Sequence, residues 1–342
     1  MLIKKLTDAN GLPTYEDEVR DAIKEEIKDY VDRMFVDRMG NLIAVKNENA
    51  PGRHIALSAH MDEVGMVVKS FDKSGVIKFR SWGVDPRVML SKVVRIGKDK
   101  IPGVIGSKPI HMQKPDERKT NLELDKLYID IGVDSDEEAK KCVEIGDYIA
   151  FDSEYHELGN HKIKAKALDD RVGCAAIIET LKANLPYKLT AVFCVQEEVG
   201  LRGSATASNH VFADLVLNLE GTVCADTWNT DDMPEHLRVT VLGQGPAISL
   251  KDRTSIYLKK YYEQVIAVAE ENNIPYQFRG SGAGGTDAFS YHVAHGGTPV
   301  VGLAVPCRYL HTPVSVCDIR DYENLVLLLN KFISKYNEEE AK

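Results

Sequence analysis

A chain of 342 residues exceeds the roughly 250 to 300 at which a single hydrophobic core stops growing, so two domains are expected. With 44% hydrophobic and 28% charged residues it reads as an ordinary globular protein, and a formal net charge of −9 without a basic stripe excludes nucleic acid and anionic membrane as main partners. No apolar run approaches the roughly 20 residues that span a bilayer. Residues 1–6 pass straight into polar sequence without a signal-peptide core, so a cytoplasmic protein is expected. Six cysteines without a C-x-x-C pair are read as reduced thiols, in keeping with that compartment.

The first predicted element is an amphipathic helix. Thr14 can cap it, and Val19, Ile23, Ile27 and Val31 recur every four residues on one face. A hairpin follows, residues 34–36 and 42–45 around Gly40-Asn41, and then a strand over 54–58 that runs into Ala59-His60-Met61-Asp62-Glu63-Val64-Gly65. A His and an Asp two apart at a strand end point to one side. His60 can therefore bind a metal while Asp62 orients it from behind.

From 69 to 164 the texture changes to short strands separated by glycines, with one helix predicted at 135–143. This predicts a small β-barrel-like domain inserted into an α/β domain formed by 1–68 and 165–342. Its long charged loop, 106–125, carries His111 and Met112, and His111 is read as solvated.

The strand 162–165 leads into Lys166-Ala167-Leu168-Asp169-Asp170-Arg171-Val172-Gly173, and the α/β texture resumes at Asp169 with an apolar helix. Open α/β sheets build sites at the carboxyl ends of their strands. Asp169 is a candidate ligand there, and Asp169 or Asp170 can equally cap the helix. The next strand, 189–195, is apolar nearly throughout, as a strand buried on both faces should be. It ends in Gln196-Glu197-Glu198, and adjacent glutamates after a buried strand are costly unless they bind something. A further apolar strand, 215–219, ends in Glu220.

The last third contains a helix over 256–271, a short strand at 276–279, and the glycine-rich segment 280–288 with Gly285 and Asp287. That segment lacks the Lys-Ser/Thr ending of a phosphate loop, so its N–H groups are free to face a polarised carbonyl or a substrate. Asp287 suits a place near substrate, or a helix cap. The strand 299–305 leads to His311, and a helix over 319–336 closes the chain. The fold class is thus α/β, a mixed and mostly parallel sheet with helices on both faces, plus the inserted barrel-like domain.

Strand ends therefore deliver His60, Asp169, Glu197 or Glu198, Glu220 and His311, with one acid to spare. Two histidines and three carboxylates suit a pair of divalent ions such as zinc, cobalt or manganese. One carboxylate must bridge them, since only a group with two oxygens reaches both, and the spare acid is free to act as a general base.

At this point the chain resembles the tetrahedral, self-compartmentalising metalloaminopeptidases, often labelled glutamyl aminopeptidases and sometimes endoglucanases. The motifs AHMDEVG, ALDDRVG, QEEVGLRG, LEGT, GGTDA and YLHTPV carry the resemblance, in family order between 59 and 314. The resemblance implies that His60 and His311 are metal ligands, Asp169 the bridge, Glu198 and Glu220 terminal ligands, Glu197 the general base, and Asp62 the acid behind His60. It implies a cis peptide after Asp169. It also implies that short peptides with a free N-terminus are substrates, and that the insertion is an interaction domain building dimers and a hollow dodecamer. Many relatives carry Asp where this chain has Glu220.

Two rivals are a metal-independent glycoside hydrolase and a metal-stabilised scaffold without activity. The first needs a carboxylate pair without strand-end histidines, and only 7% of the residues are aromatic for sugar stacking. Structural sites favour Cys and leave no spare base.

Overall fold

Strands apolar at every position need cover on both faces, and the chain supplies it. The structure is a computed structural model that describes residues 1–227, 239–279 and 284–338. It divides into two units, one formed by Met1–Glu63, Tyr155–Leu310 and Ser315–Lys342, the other by Val64–Glu154 with His311–Val314.

The first unit is built on an eleven-stranded mixed sheet. Four strands form its parallel centre: β12 (Leu189–Cys194), β3 (Ile55–His60), β13 (Leu215–Val223) and β16 (Val300–Arg308). On one side β2 (Leu42–Lys46) and β1 (Arg33–Val36) add antiparallel strands. On the other come β17 (Ser315–Asp318), β11 (Lys162–Ala165) and β10 (His156–Leu158), also antiparallel. A branch, β14 (Ala247–Ser249) with β15 (Gln277–Arg279), joins β16. The hairpin β10–β11, which its short-strand texture grouped with the insertion, thus pairs into the large sheet.

Period-two alternation splits the central strands between two apolar layers. Leu57, Phe193, Leu217 and Leu303 face one layer with the helices α1 (Leu2–Asp8), α2 (Asp17–Ile27), α4 (Leu168–Lys182), α6 (Lys259–Glu271) and α8 (Ile319–Glu338). Ala56, Val192, Val216 and Val300 face the other, covered by α5 (Arg202–Ala207) and α7 (Ala288–Val293). Helix α4 is buried almost all round because sheet lies on one side of it and α1, α2 and α8 on others. Helix α8 instead buries a stripe, Leu325, Leu328, Leu329, Phe332 and Ile333.

Two local expectations change. Helix α1 buries Ile3 and Leu6 where no element is predicted from the sequence. Thr14 does not cap α2: it adopts φ 76°, and Glu16 takes the N-cap place.

The second unit is a closed antiparallel barrel in the order β4 (Gly65–Phe71), β5 (Ile77–Trp82), β8 (Tyr128–Asp130), β7 (Ile101–Gly106), β6 (Val93–Ile96) and β9 (Tyr148–Phe151). Closure removes the free edges of so small a sheet. Met66 and Val68, Ile77 and Phe79, Val94 and Ile96, Ile149 and Phe151 fill the inside at alternate positions. The short helix α3 (Asp136–Cys142) is capped by Ser135, whose Oγ accepts from the Glu138 N–H at 3.3 Å. His111 is exposed, as the loop composition predicts.

Candidate metal centre

His60 is the last residue of β3, and β13 runs parallel beside it with Ser58 opposite Asn218. Two residues further along, His60 and Glu220 project from the same face of neighbouring strands. His60 Nε2 lies 3.7 Å from Glu220 Oε2 and 3.5 Å from Asp169 Oδ1. One donor atom from each of the three residues falls within 4.8 Å of the others, a cluster that can hold an ion.

Asp169 opens α4 through a cis peptide to Asp170, the isomer the resemblance implies. Its Oδ1 accepts the Gly221 N–H at 3.2 Å, and a Cβ at Gly221 would come within 3.0 Å of the Asp169 side chain. Glycine after Glu220 is thus what lets α4 bring Asp169 against β13. Asp170 does the capping: its carboxylate accepts from Gly173 N–H at 2.9 Å and from His60 N–H at 3.3 Å, and burial pushes that carboxyl well up.

The expected role of Asp62 divides in two. Its main-chain carbonyl lies 3.0 Å from His60 Nδ1, and a proton held there leaves the Nε2 lone pair toward Asp169 and Glu220. Its carboxylate stands behind His60, Oδ1 3.5 Å from Nδ1, and also accepts the Glu197 N–H at 2.9 Å and the Glu198 N–H at 3.1 Å. Sequence reading also missed a network beneath the strand end. Lys166 and Arg171 both bind the Glu63 carboxylate, at 2.6 and 3.1 Å, while Arg171 also donates to the carbonyls of Met61, Leu6 and Ala9. All three charges are buried. They belong to the same motifs as the ligands, where charge directly follows an apolar strand.

Acids accumulate where burial disfavours their charge. Burial pushes the carboxyls of Glu197 and Glu198 well above their ordinary range, against the pull of His60, and raises Glu220 to about 8. Asp287, at the N-cap place of α7, is fully buried, and burial raises it to about 6. A cation relieves this arrangement, and an imidazole with carboxylates is a donor set for zinc-like ions. The residues present therefore fit a divalent metal.

The remaining candidates are placed as follows. His311 belongs to the second unit, where it is exposed, adopts φ 57° and sets its Nδ1 3.0 Å from the Gly83 carbonyl. Gly285 sits against Thr254, which a Cβ there would meet at 2.7 Å. Residues 280–283 of the glycine-rich segment lie outside the described residues. His54 is satisfied elsewhere, by the Phe212 carbonyl and Thr190 Oγ1, each at 2.8 Å.

Imidazole and carboxylates converging at the ends of parallel strands, with an acid in excess, define a metal-dependent hydrolase. Residues 40–328 match the family model described as M42 glutamyl aminopeptidase. The chain belongs to that family. It is 30% identical to the glutamyl aminopeptidase of Lactococcus lactis subsp. cremoris, over 99% of this chain and 97% of the other. Among solved structures, the TET aminopeptidase of the marine sediment archaeon Thaumarchaeota archaeon SCGC AB-539-E09 superimposes with a TM-score of 0.93, at 34% identity and coverage of 99% and 96%. The TET1 peptidase of Pyrococcus horikoshii, which can assemble into a tetrahedron or a large octahedral shell, gives 0.85, at 31% identity and coverage of 97% and 98%. No helix among the described residues is long and apolar enough to cross a membrane.

Proposed function

We propose that the chain is a dinuclear metal aminopeptidase that removes the N-terminal residue from short peptides in the cytoplasm. The observation that carries this is the convergence of His60, Asp169 and Glu220 within 4.8 Å at the strand ends of an M42 family member. By the resemblance, His60, Glu220, His311 and Glu198 would hold the two ions as terminal ligands and Asp169 would be shared. Two such ions, of zinc, cobalt or manganese, would supply polarisation of the scissile carbonyl and a bound water of lowered pKa. The Glu197 carboxylate takes the proton of the attacking water and returns it to the leaving amine. Burial pushes the Glu197 carboxyl above its ordinary range, the direction a general base requires. Asp287 receives the substrate's free ammonium, and the Gly285 backbone faces the bound peptide.

The barrel unit is the self-association domain, giving dimers and then a dodecamer. The assembly of the Pyrococcus horikoshii relative supports this reading. The test is release of free amino acids from unblocked peptides, none from the same peptides acetylated at the N-terminus, loss with a chelator and recovery with zinc, cobalt or manganese. Cleavage of acetylated peptides, or chelator-resistant hydrolysis of a β-glucan with no action on peptides, would sink it.

A further inference from the structure

After Cys194 the chain leaves β12, and its next N–H groups no longer have strand partners. Buried backbone donors must be paired. Here four in succession are paired by side chains of three distant segments. Val195 N–H donates to Asn41 Oδ1 at 2.9 Å, Gln196 N–H to Glu16 Oε1 at 3.2 Å, and the Glu197 and Glu198 N–H groups to the two oxygens of Asp62. Asn41 also donates to the Gly203 carbonyl at 2.9 Å, so it holds both ends of the loop. Gln196 adopts φ 56°, a left-handed turn of the kind that gathers successive N–H groups around an anion.

Glu16 is the member without a local explanation. It stands at the N-cap place of α2, yet makes no side-chain cap bond to the helix. It is 2% exposed, and its Oε1 also takes the Thr14 N–H at 3.1 Å. Burial, and then the charge of Asp62, push it up to about 7. A helix start is served as well by a short residue in water, so a buried acid here answers a need elsewhere.

We propose that Glu16 is a positioning residue for the hydrolytic reaction. With Asn41 and Asp62 it clamps the backbone of residues 195–198, and so fixes where the Glu197 and Glu198 carboxylates sit. This rests on the reading of Glu197 as base and Glu198 as ligand.

The experiment compares Glu16→Ala, Glu16→Gln and Glu16→Asp in the full chain loaded with zinc. Amide exchange of the 195–200 stretch is followed by mass spectrometry beside the kinetics. Glu16→Ala is expected to speed exchange there and to lower kcat by about 10- to 100-fold, the usual cost of losing an outer partner of a metal site. KM stays near wild type at saturating zinc, while Tm falls because two N–H groups lose their acceptor. Glu16→Gln keeps an acceptor oxygen at the same reach and restores slow exchange and most of kcat. Glu16→Asp is one methylene short and does not. Should Glu16→Ala fail to fold, the Gln and Asp variants decide the matter by the same contrast. Wild-type exchange and kcat in Glu16→Ala, or no difference between Gln and Asp, would overturn the proposal. If the wild-type chain releases no amino acids from peptides, the reading of the site fails, while the exchange data still judge the clamp.

Discussion

The two units bury different things. Within 64–154 no polar or charged residue is buried among the described residues, and the barrel interior is Met, Val, Ile, Leu and Phe. The sheet unit buries His60, Asp62, Glu63, Lys166, Asp170, Arg171, Glu220 and Asp287, besides Glu16 and Asn41. Apolar burial stabilises the barrel with no further condition. Buried charge is stabilising only when paired or bound to a cation. A shell of alternating strands suffices where the interior is apolar, whereas buried charge must have its partners arranged in advance.

Removing an imidazole should break the sheet unit's side of this contrast most severely. His60→Ala is expected to cost one ion per chain and abolish turnover, leaving the barrel folded. Metal analysis beside circular dichroism checks this, and full ion content in the variant would remove His60 from the ligand set. His54→Ala, at a residue already paired with Phe212 and Thr190, is the control.

The adjacent glutamates sharpen the contrast next. Glu197→Gln should retain both ions and lose about 10²- to 10⁴-fold in kcat, the size of a general-base contribution. Glu198→Gln should lose metal as well as rate, since an amide is a poorer ligand for these ions. The reverse pattern of metal loss would exchange the two roles.

In the barrel the corresponding break is a cavity. Ile149 is fully buried there, and Ile149→Ala should destabilise by about 2 to 5 kcal/mol. Denaturant unfolding measures this, and ion content per folded chain should not change. Wild-type stability in this variant would show that the barrel interior does not depend on packing at that position.

The smallest effect tests charge at the surface. Glu26 pairs with Lys182 at 2.6 Å and Lys5 at 2.7 Å, and these ammonium groups hold its carboxyl down at about 2. A depressed carboxyl contributes stability that is present above its unfolded pKa of about 4.5 and is lost as pH falls through about 2. Glu26→Gln should therefore cost up to about 1 kcal/mol at pH 7, a gap constant down to about pH 4.5 and closing below it. Thermal melts of both proteins across pH would show a flat difference if the pairs contribute nothing.

The amino-acid sequence by itself determined the strand-end candidates, because an apolar run followed at once by His or an acid is a local pattern. His60, Asp169, Glu197, Glu198 and Glu220 were legible for that reason, as were the barrel-like texture and the helix at 135–143. Only the tertiary structure decided which of them meet. The register that sets Ser58 against Asn218, and so His60 beside Glu220, depends on strands about 160 residues apart in the chain. Burial of Glu63, Lys166 and Arg171, and the reach of Glu16 and Asn41 to the backbone after β12, were equally hidden. A charged residue in a sequence carries no mark of its partner, and Glu16 read only as part of a helix start. Position along a strand is written in neighbouring residues, while the pairing of buried charges is settled by the packing of elements far apart in the chain.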